Sequence, residues 1–277
     1  MSAYPQTIQL DDIASIIAEK FKDQTAITCY VGSNAATPTA AIEALTRALK
    51  SRSPVLPFLK MVHLLLQKSG IVTNRKKSAN MGYSTTSLIM GSRELYDYVH
   101  MRSGVQMRPS SYTNAAKTIQ ANCPFVSVNT AIGVDLFGNV WADFIDPRRY
   151  YGGVGGQPDF IRAIQEPGVG TPVIAIKSLT SKGESKIVPT SPPGVSLTAS
   201  AYDGFVLVTE YGIADLRGLT LGNKALAIAN VAHPKFREQF LRKIYDDPLV
   251  TKPFDFSPDK TPYGVTPYRG DVLLNDD

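Results

Sequence analysis

Val126 to Phe160 reads VSVNTAIGVDLFGNVWADFIDPRRYYGGVGGQPDF, and the interpretation of this stretch decides the fold. It opens on a strand-like run, Val126-Ser127-Val128-Asn129, and continues through Ala131-Ile132-Gly133-Val134-Asp135-Leu136. The chain turns at Gly138-Asn139 and ends in a glycine-dense loop, Gly152-Gly153-Val154-Gly155-Gly156, with Gln157, Asp159 and Phe160 behind it. Apolar β-branched runs that feed a glycine loop are how α/β proteins bring backbone close to a ligand. The pattern indicates a binding site and leaves the ligand open.

Outward from this stretch, further apolar runs fall at Thr171–Ile176 and Phe205–Thr209, the second leading directly into Glu210–Leu216. Ser87–Gly91 also reads as a strand. Ser92–Val99 reads as a short helix, and Leu219–Ala229 and Pro234–Tyr245 as closing helices, the last with proline in its first turn. Such alternation predicts an α/β protein: a mostly parallel sheet with helices on both faces. The runs at 126–136, 171–176 and 205–209 are expected to share that sheet.

Upstream, Ile13, Ile16, Ile17 and Phe21 recur at helical spacing, and Ala26–Val31 reads as a short buried strand. After Gly32-Ser33-Asn34, Thr37-Pro38 starts a second helix as N-cap and first helical residue. The tail, 246–277, holds prolines at 248, 253, 258, 262 and 267, has no usable period, and is expected to be irregular.

At 277 residues, 43% hydrophobic and 19% charged, the composition is that of a soluble globular protein. The net charge of +5 comes from scattered basic residues, with one tight cluster at Arg75-Lys76-Lys77 that reads as a solvated basic face. Clustered arginines interleaved with aromatics, the footprint of a nucleic-acid binder, are not present. Cys29 and Cys123 have neither partner spacing nor a nearby histidine, which argues against disulfide, zinc and redox-pair readings. No apolar run approaches the roughly 18–20 residues of a membrane span. Neither a signal nor a transit pattern opens the chain, so a cytoplasmic protein is expected.

The string Asn129-x-Ala131-Ile132-x-Val134-Asp135-Leu136-x-Gly138, then Gly153-Val154-Gly155-Gly156-Gln157-x-Asp159-Phe160-Ile161-Arg162, resembles the C-terminal half of the acetyl-CoA hydrolase/transferase family. Thr209-Glu210-Tyr211-Gly212 followed by Ala214-Asp215-Leu216-Arg217-Gly218 strengthens the likeness. The resemblance implies a NagB/RpiA/CoA-transferase-like fold with a truncated N-terminal domain. It implies a remnant of that domain at 1–66, a C-terminal domain at 67–245 and a tail at 246–277. The implied reaction is transfer of CoA between a short-chain acyl-CoA, such as acetyl-CoA, and a small carboxylate, or hydrolysis of the thioester. Coenzyme A is then a substrate, and no permanently bound cofactor is implied. No nucleic-acid or membrane partner is expected; a homo-oligomer, or association through exposed sheet edges, is.

In the family, a glutamate between the isoleucine and the Val-Asp pair is the nucleophile that carries CoA as a thioester; here that position is Gly133. The resemblance places Gly153, Val154, Gly155, Gly156, Gln157, Glu210 and Gly212 around substrate, with backbone N–H groups holding the oxyanion. Asp135 faces the same side as Gly133 on a strand but ~6.5–7 Å further along, too far to replace a nucleophile. Local hydrogen bonding is its expected role. His63, His100 and His233 read as packed or surface groups and Tyr150-Tyr151 as packing residues; Lys182 and Lys186, in a loop that the resemblance sets beside the site, read as solvated lysines, with contact to CoA phosphate as the alternative. The missing carboxylate leaves a second expectation open: a catalytically silent relative that binds CoA weakly or partners a full-length homologue.

Overall fold

Short apolar strands, more than long helices, carry the architecture. The computed structural model describes residues 28–31, 68, 74–75, 77–89, 92–166, 169–246 and 265–267. In chain order these form β1 (Thr28–Val31), β2 (Ser84–Thr86), α1 (Arg93–Val99), β3 (Val105–Met107), α2 (Ser110–Thr113), α3 (Ala116–Gln120) and β4 (Phe125–Asn129). There follow β5 (Gly133–Asp135), β6 (Val140–Trp141), β7 (Phe144–Asp146), β8 (Arg149–Tyr150), α4 (Gln157–Ile164) and β9 (Gly170–Ala175). The last elements are β10 (Ile187–Val188), β11 (Val206–Thr209), β12 (Gly212–Asp215), α5 (Leu221–Asn230), α6 (Pro234–Asp246) and β13 (Val265–Pro267). The helices expected at 10–22 and after Thr37 lie outside the described residues.

Six strands form one sheet in the order β1-β4-β9-β11-β12-β13, so the apolar runs at 126–129, 171–175 and 206–209 do share a sheet. The expectation of a mostly parallel sheet needs correcting: β1 and β4 are parallel, but β11–β12 and β12–β13 are antiparallel. Only Glu210 and Tyr211 link β11 to β12, and a parallel pair needs a crossover of a dozen or more residues. The fold is therefore mixed α/β. A second correction concerns 126–136: the chain leaves the large sheet after Asn129, and β5 lies in a separate three-stranded sheet, β10-β5-β6. Of the strand expected at Ser87–Gly91, the described residues 87–89 are not strand. The strand is β2, just upstream, and the Thr86 hydroxyl then donates to the Leu88 carbonyl at 2.7 Å as the chain turns away. Three residues of the tail form β13, so the tail is not irregular throughout.

The described residues fall into two compact units: 130–155 with those from 174 onward, and those up to 129 with 156–173. The second is built on β4, buried along its whole length. Its core joins Phe125, Ile119, Phe160, Ala163 and Ile164. Here α4, to which the sequence reading assigned no element, presents its apolar face to β4; Gly156 is its N-cap and Pro158 sits in its first turn. Ser92 caps α1 by accepting from the Leu95 N–H, as its position before the helix leads one to expect. In the first unit α5, capped by Thr220, packs against β12 and α6, burying Leu226, Ile228, Phe240 and Ile244.

Lys77 overturns the picture of a solvated basic cluster. It is 1% exposed and donates to the Tyr83 carbonyl at 2.8 Å and more loosely to the Thr85 hydroxyl. Burial lowers its pKa to about 8. A lysine whose folded pKa lies below its unfolded value of 10.5 holds fewer protons when folded, so stability rises as pH climbs between the two values. Chemical unfolding followed between pH 8 and 10.5 should show this rise in wild type and a flatter profile in Lys77→Met. At the β4–β9 contact, a Cβ on Gly170 would overlap the Phe125 carbonyl and sit 2.9 Å from the Ile164 Cβ. Gly170→Ala is expected to cost about 1–3 kcal/mol in thermal unfolding, because backbone cannot yield as a side chain can.

Candidate active site

The β5–β6 hairpin is the nucleus of the site. Its turn, Leu136 to Asn139, contains Gly138 with φ of +87°, a left-handed conformation that suits glycine. Asp135, fully buried, holds the turn. Its Oδ1 accepts the N–H groups of Phe137 and Asn139 at 3.0 and 2.9 Å. Its Oδ2 accepts the Asn139 side-chain amide at 2.9 Å and the Ser191 N–H at 3.1 Å. A carboxylate with four donors is compensated for its burial, and both of its oxygens are engaged. The expected role in local hydrogen bonding is thus what the geometry displays.

The hairpin register pairs Gly133 with Trp141 and Val134 with Val140. Gly133 is the first residue of β5 and is buried. The indole of Trp141 lies over it: a Cβ on Gly133 would be 2.6 and 2.7 Å from the ring atoms Cη2 and Cε2. The sequence reading passed over Trp141. A hairpin with a left-handed Gly138 would have found it, since counting back from that turn places residue 141 opposite 133.

A hydrogen-bonded path joins this hairpin to Glu210. The Glu210 carboxylate accepts the Ser178 N–H at 2.8 Å and the Ser178 hydroxyl at 2.6 Å. The Ser178 carbonyl accepts the Lys186 N–H, and the Lys186 carbonyl accepts the Val134 N–H at 3.0 Å. The Lys186 ammonium donates to the Ala131 carbonyl at 2.9 Å. Lys186 is therefore not a solvated lysine. Burial lowers its pKa, opposed by the Glu210 charge and reinforced by Lys177. Lys182, by contrast, is exposed, as expected. Ser178 had no signal in the sequence; it follows an ordinary apolar strand.

Glu210 and Tyr211 form the two-residue link of the β11–β12 hairpin, and Gly212 follows with φ of 145°, which a side chain would resist. The Thr209 hydroxyl accepts the Tyr211 N–H at 3.0 Å and donates to the Val231 carbonyl at 2.6 Å, fixing the turn. Burial, and then the Glu210 charge, raises the Tyr211 pKa, with Arg237 pulling the other way. His233 packs edge-on against Tyr211 at 5.4 Å and accepts the Lys235 N–H, a packing role.

Gly153, Val154 and Gly155 are exposed, and the loop is held at its start by the Asp143 carbonyl, which accepts the Tyr151 N–H at 2.7 Å. Gly156 and Gln157 begin α4 in the other compact unit. Tyr150 packs edge-on against Phe144 yet remains 63% exposed. Among the described residues no group of three or more His, Cys, Asp or Glu could hold a metal ion, and no helix is long and apolar enough to cross a membrane.

The model of the acetyl-CoA hydrolase/transferase C-terminal domain matches residues 91–244. The 4-hydroxybutyrate coenzyme A transferase of Clostridium kluyveri is 39% identical over 179 residues, covering 64% of this chain and 42% of that protein. The crystal structure of RipA from Yersinia pestis superposes with a TM-score of 0.72 at 28% identity, over 88% of this chain and 54% of that one. That of 4-hydroxybutyrate CoA-transferase from Porphyromonas gingivalis does so with a TM-score of 0.67 at 29% identity, over 88% and 57%. The chain thus spans about half the length of the relatives it matches.

Glu210→Gln would remove the one charge that opposes desolvation of Lys186. The Lys186 ammonium should then lose its proton at lower pH than in wild type. Competitive acetylation of lysines across a pH series, read by peptide mass, should show Lys186 reacting earlier in the variant; an unchanged midpoint would separate the two groups electrostatically.

Proposed function

Because the chain belongs to the acetyl-CoA hydrolase/transferase family, we propose that it binds coenzyme A or a short-chain acyl-CoA such as acetyl-CoA, and does so without covalent exchange. The family reaction begins with a carboxylate attacking the thioester carbonyl, releasing CoA thiolate and leaving an acyl anhydride. The thiolate then attacks the enzyme's side of the anhydride, forming a glutamyl thioester and freeing the carboxylate product. One observation carries the reading. Position 133 offers no carboxylate, and the nearest acid on the same strand, Asp135, has both oxygens committed to four donors.

The glycine loop Gly153–Gly156 with Gln157, and Glu210 with Gly212, are the groups proposed to meet the ligand. Residues 1–66 are read as what remains of an N-terminal domain, 67–245 as the C-terminal domain and 246–277 as a tail. The half-length match to the relatives supports this division. A homo-oligomer, or pairing with a full-length homologue through sheet edges, fits the same reading, with the cytoplasm as compartment.

A second reading has its own support. Glu210 is held at both oxygens by Ser178, so it is an oriented carboxylate beside a half-buried lysine. Were the chain a working transferase or hydrolase, Glu210 would be its nucleophile. Incubation with acetyl-CoA or butyryl-CoA, followed by intact mass or borohydride reduction, separates the two. No CoA adduct and no exchange into labelled acetate are expected, and Gly133→Glu alone should recover at most slight activity. Robust turnover by wild type that Glu210→Gln abolishes would replace the first reading with the second.

A further inference from the structure

Burial lowers the pKa of three lysines among the described residues, Lys77, Lys186 and Lys224. Two of them are shut away from any reagent: Lys77 is 1% exposed and Lys224 is 6% exposed. Lys186 is only half-buried. It alone of the three joins a weakened hold on its proton to an open approach. A lysine in that state is a nucleophile, because the neutral amine carries the lone pair that the ammonium lacks.

The surroundings of Lys186 suit an amine better than an ammonium. Its Nζ donates to a neutral group, the Ala131 carbonyl, at 2.9 Å. Glu210 acts on it through charge, but the Glu210 oxygens are taken up by the Ser178 N–H and hydroxyl at 2.8 and 2.6 Å. A second cation, Lys177, is close enough to oppose its protonation. Desolvation beside another cationic group is a recognised way to free a lysine amine for attack on a carbonyl. The residue is also held in place by its backbone. Its N–H donates to the Ser178 carbonyl at 2.8 Å, and its carbonyl accepts the Val134 N–H at 3.0 Å.

We propose that Lys186 is a self-acylation site, whose amine takes the acyl group of a bound short-chain acyl-CoA. The proposal rests on the reading that Glu210 and Gly212 meet that ligand, since Lys186 lies beside Glu210. In the step, the amine nitrogen attacks the thioester carbonyl; an N–C bond forms and the C–S bond breaks. CoA leaves as the thiolate and takes up the proton that the nitrogen sheds, so no further reactant is needed. The products are an amide on Lys186 and free CoA. This is not an exchange of CoA between two carboxylates. It happens once per chain, because an amide does not hand its acyl group back to a thiol. The modified side chain is uncharged, and Glu210 loses its neighbouring cation.

The test follows acetyl uptake at single lysines by peptide mass, in the full chain, with two donors. Acetyl-CoA reports on the held ligand, and S-acetyl-N-acetylcysteamine, a thioester without the nucleotide, reports on the amine itself. Both donors should acetylate Lys186 several-fold faster than the exposed Lys182, four residues away. With acetyl-CoA the rate should saturate, and free CoA should slow it. Lys177→Gln should slow acetylation of Lys186 and Glu210→Gln should speed it, because the first removes a charge that disfavours the ammonium and the second one that favours it. A purely structural lysine would show neither change.

Lys186 reacting no faster than Lys182 with either donor would overturn the proposal. So would saturable binding of acetyl-CoA that leaves Lys186 unmodified, and the proposed function would then stand without it. Fast reaction with the small thioester, but no saturation by acetyl-CoA, would uphold Lys186 as the acyl acceptor and overturn the proposed CoA binding instead. The comparison with Lys182 is made within wild type, so it decides the matter even where a variant folds poorly.

Discussion

The carboxylate of Asp135 is the constraint on which the site depends. Buried, it is tolerable only because four donors meet its two oxygens, and three of those donors lie in the turn it closes. That turn sets the register of β5 against β6, and the register sets Trp141 over Gly133. The fourth donor, the Ser191 N–H, ties the turn to the segment that follows β10. Removing a partner of a buried charge leaves the charge uncompensated, which is why such groups resist exchange. Asp135 is thus a structural residue at the centre of the site.

From the hairpin, order passes outward through backbone more than through side chains. Val134 donates to the Lys186 carbonyl, Lys186 donates to the Ser178 carbonyl, and Ser178 holds Glu210. Each step fixes the next residue, so the two-residue turn carrying Glu210 and Tyr211 is positioned with respect to β5 though 77 residues separate Gly133 from Glu210 in sequence. Within this frame the Glu210 charge opposes the burial that lowers the Lys186 pKa, and Arg237 stands over the Tyr211 ring at 5.3 Å. The family scaffold is retained here, and what it does depends on the sites placed upon it.

Much of the fold was legible along the chain because its signals are local. The apolar runs that became β4, β9 and β11, the capping of α1 by Ser92, and the proline opening α6 are all decided by neighbours a few residues away. The absence of a carboxylate at Gly133, the family kinship of the glycine loop, and the unsuitability of Asp135 as a nucleophile follow from residue identity and strand spacing alone. Local spacing was also where the reading erred. Ser87–Ile89 looked like the start of a strand by composition, and the eight-residue α4 behind the glycine loop went unassigned.

What only tertiary structure decided is everything that depends on which strand lies beside which. The antiparallel β11–β12–β13 edge, the departure of β5 from the large sheet, and the burial of Lys77 each arise from long-range partners that no periodicity records. The same holds for Ser178 at Glu210, 32 residues away, and for Lys186 at Ala131, 55 residues away. Most telling is Trp141. Sequence alone determined that position 133 has no side chain. The hairpin register determined that the space is not empty, because two residues eight apart were brought face to face, and a rigid indole took the volume that glycine left.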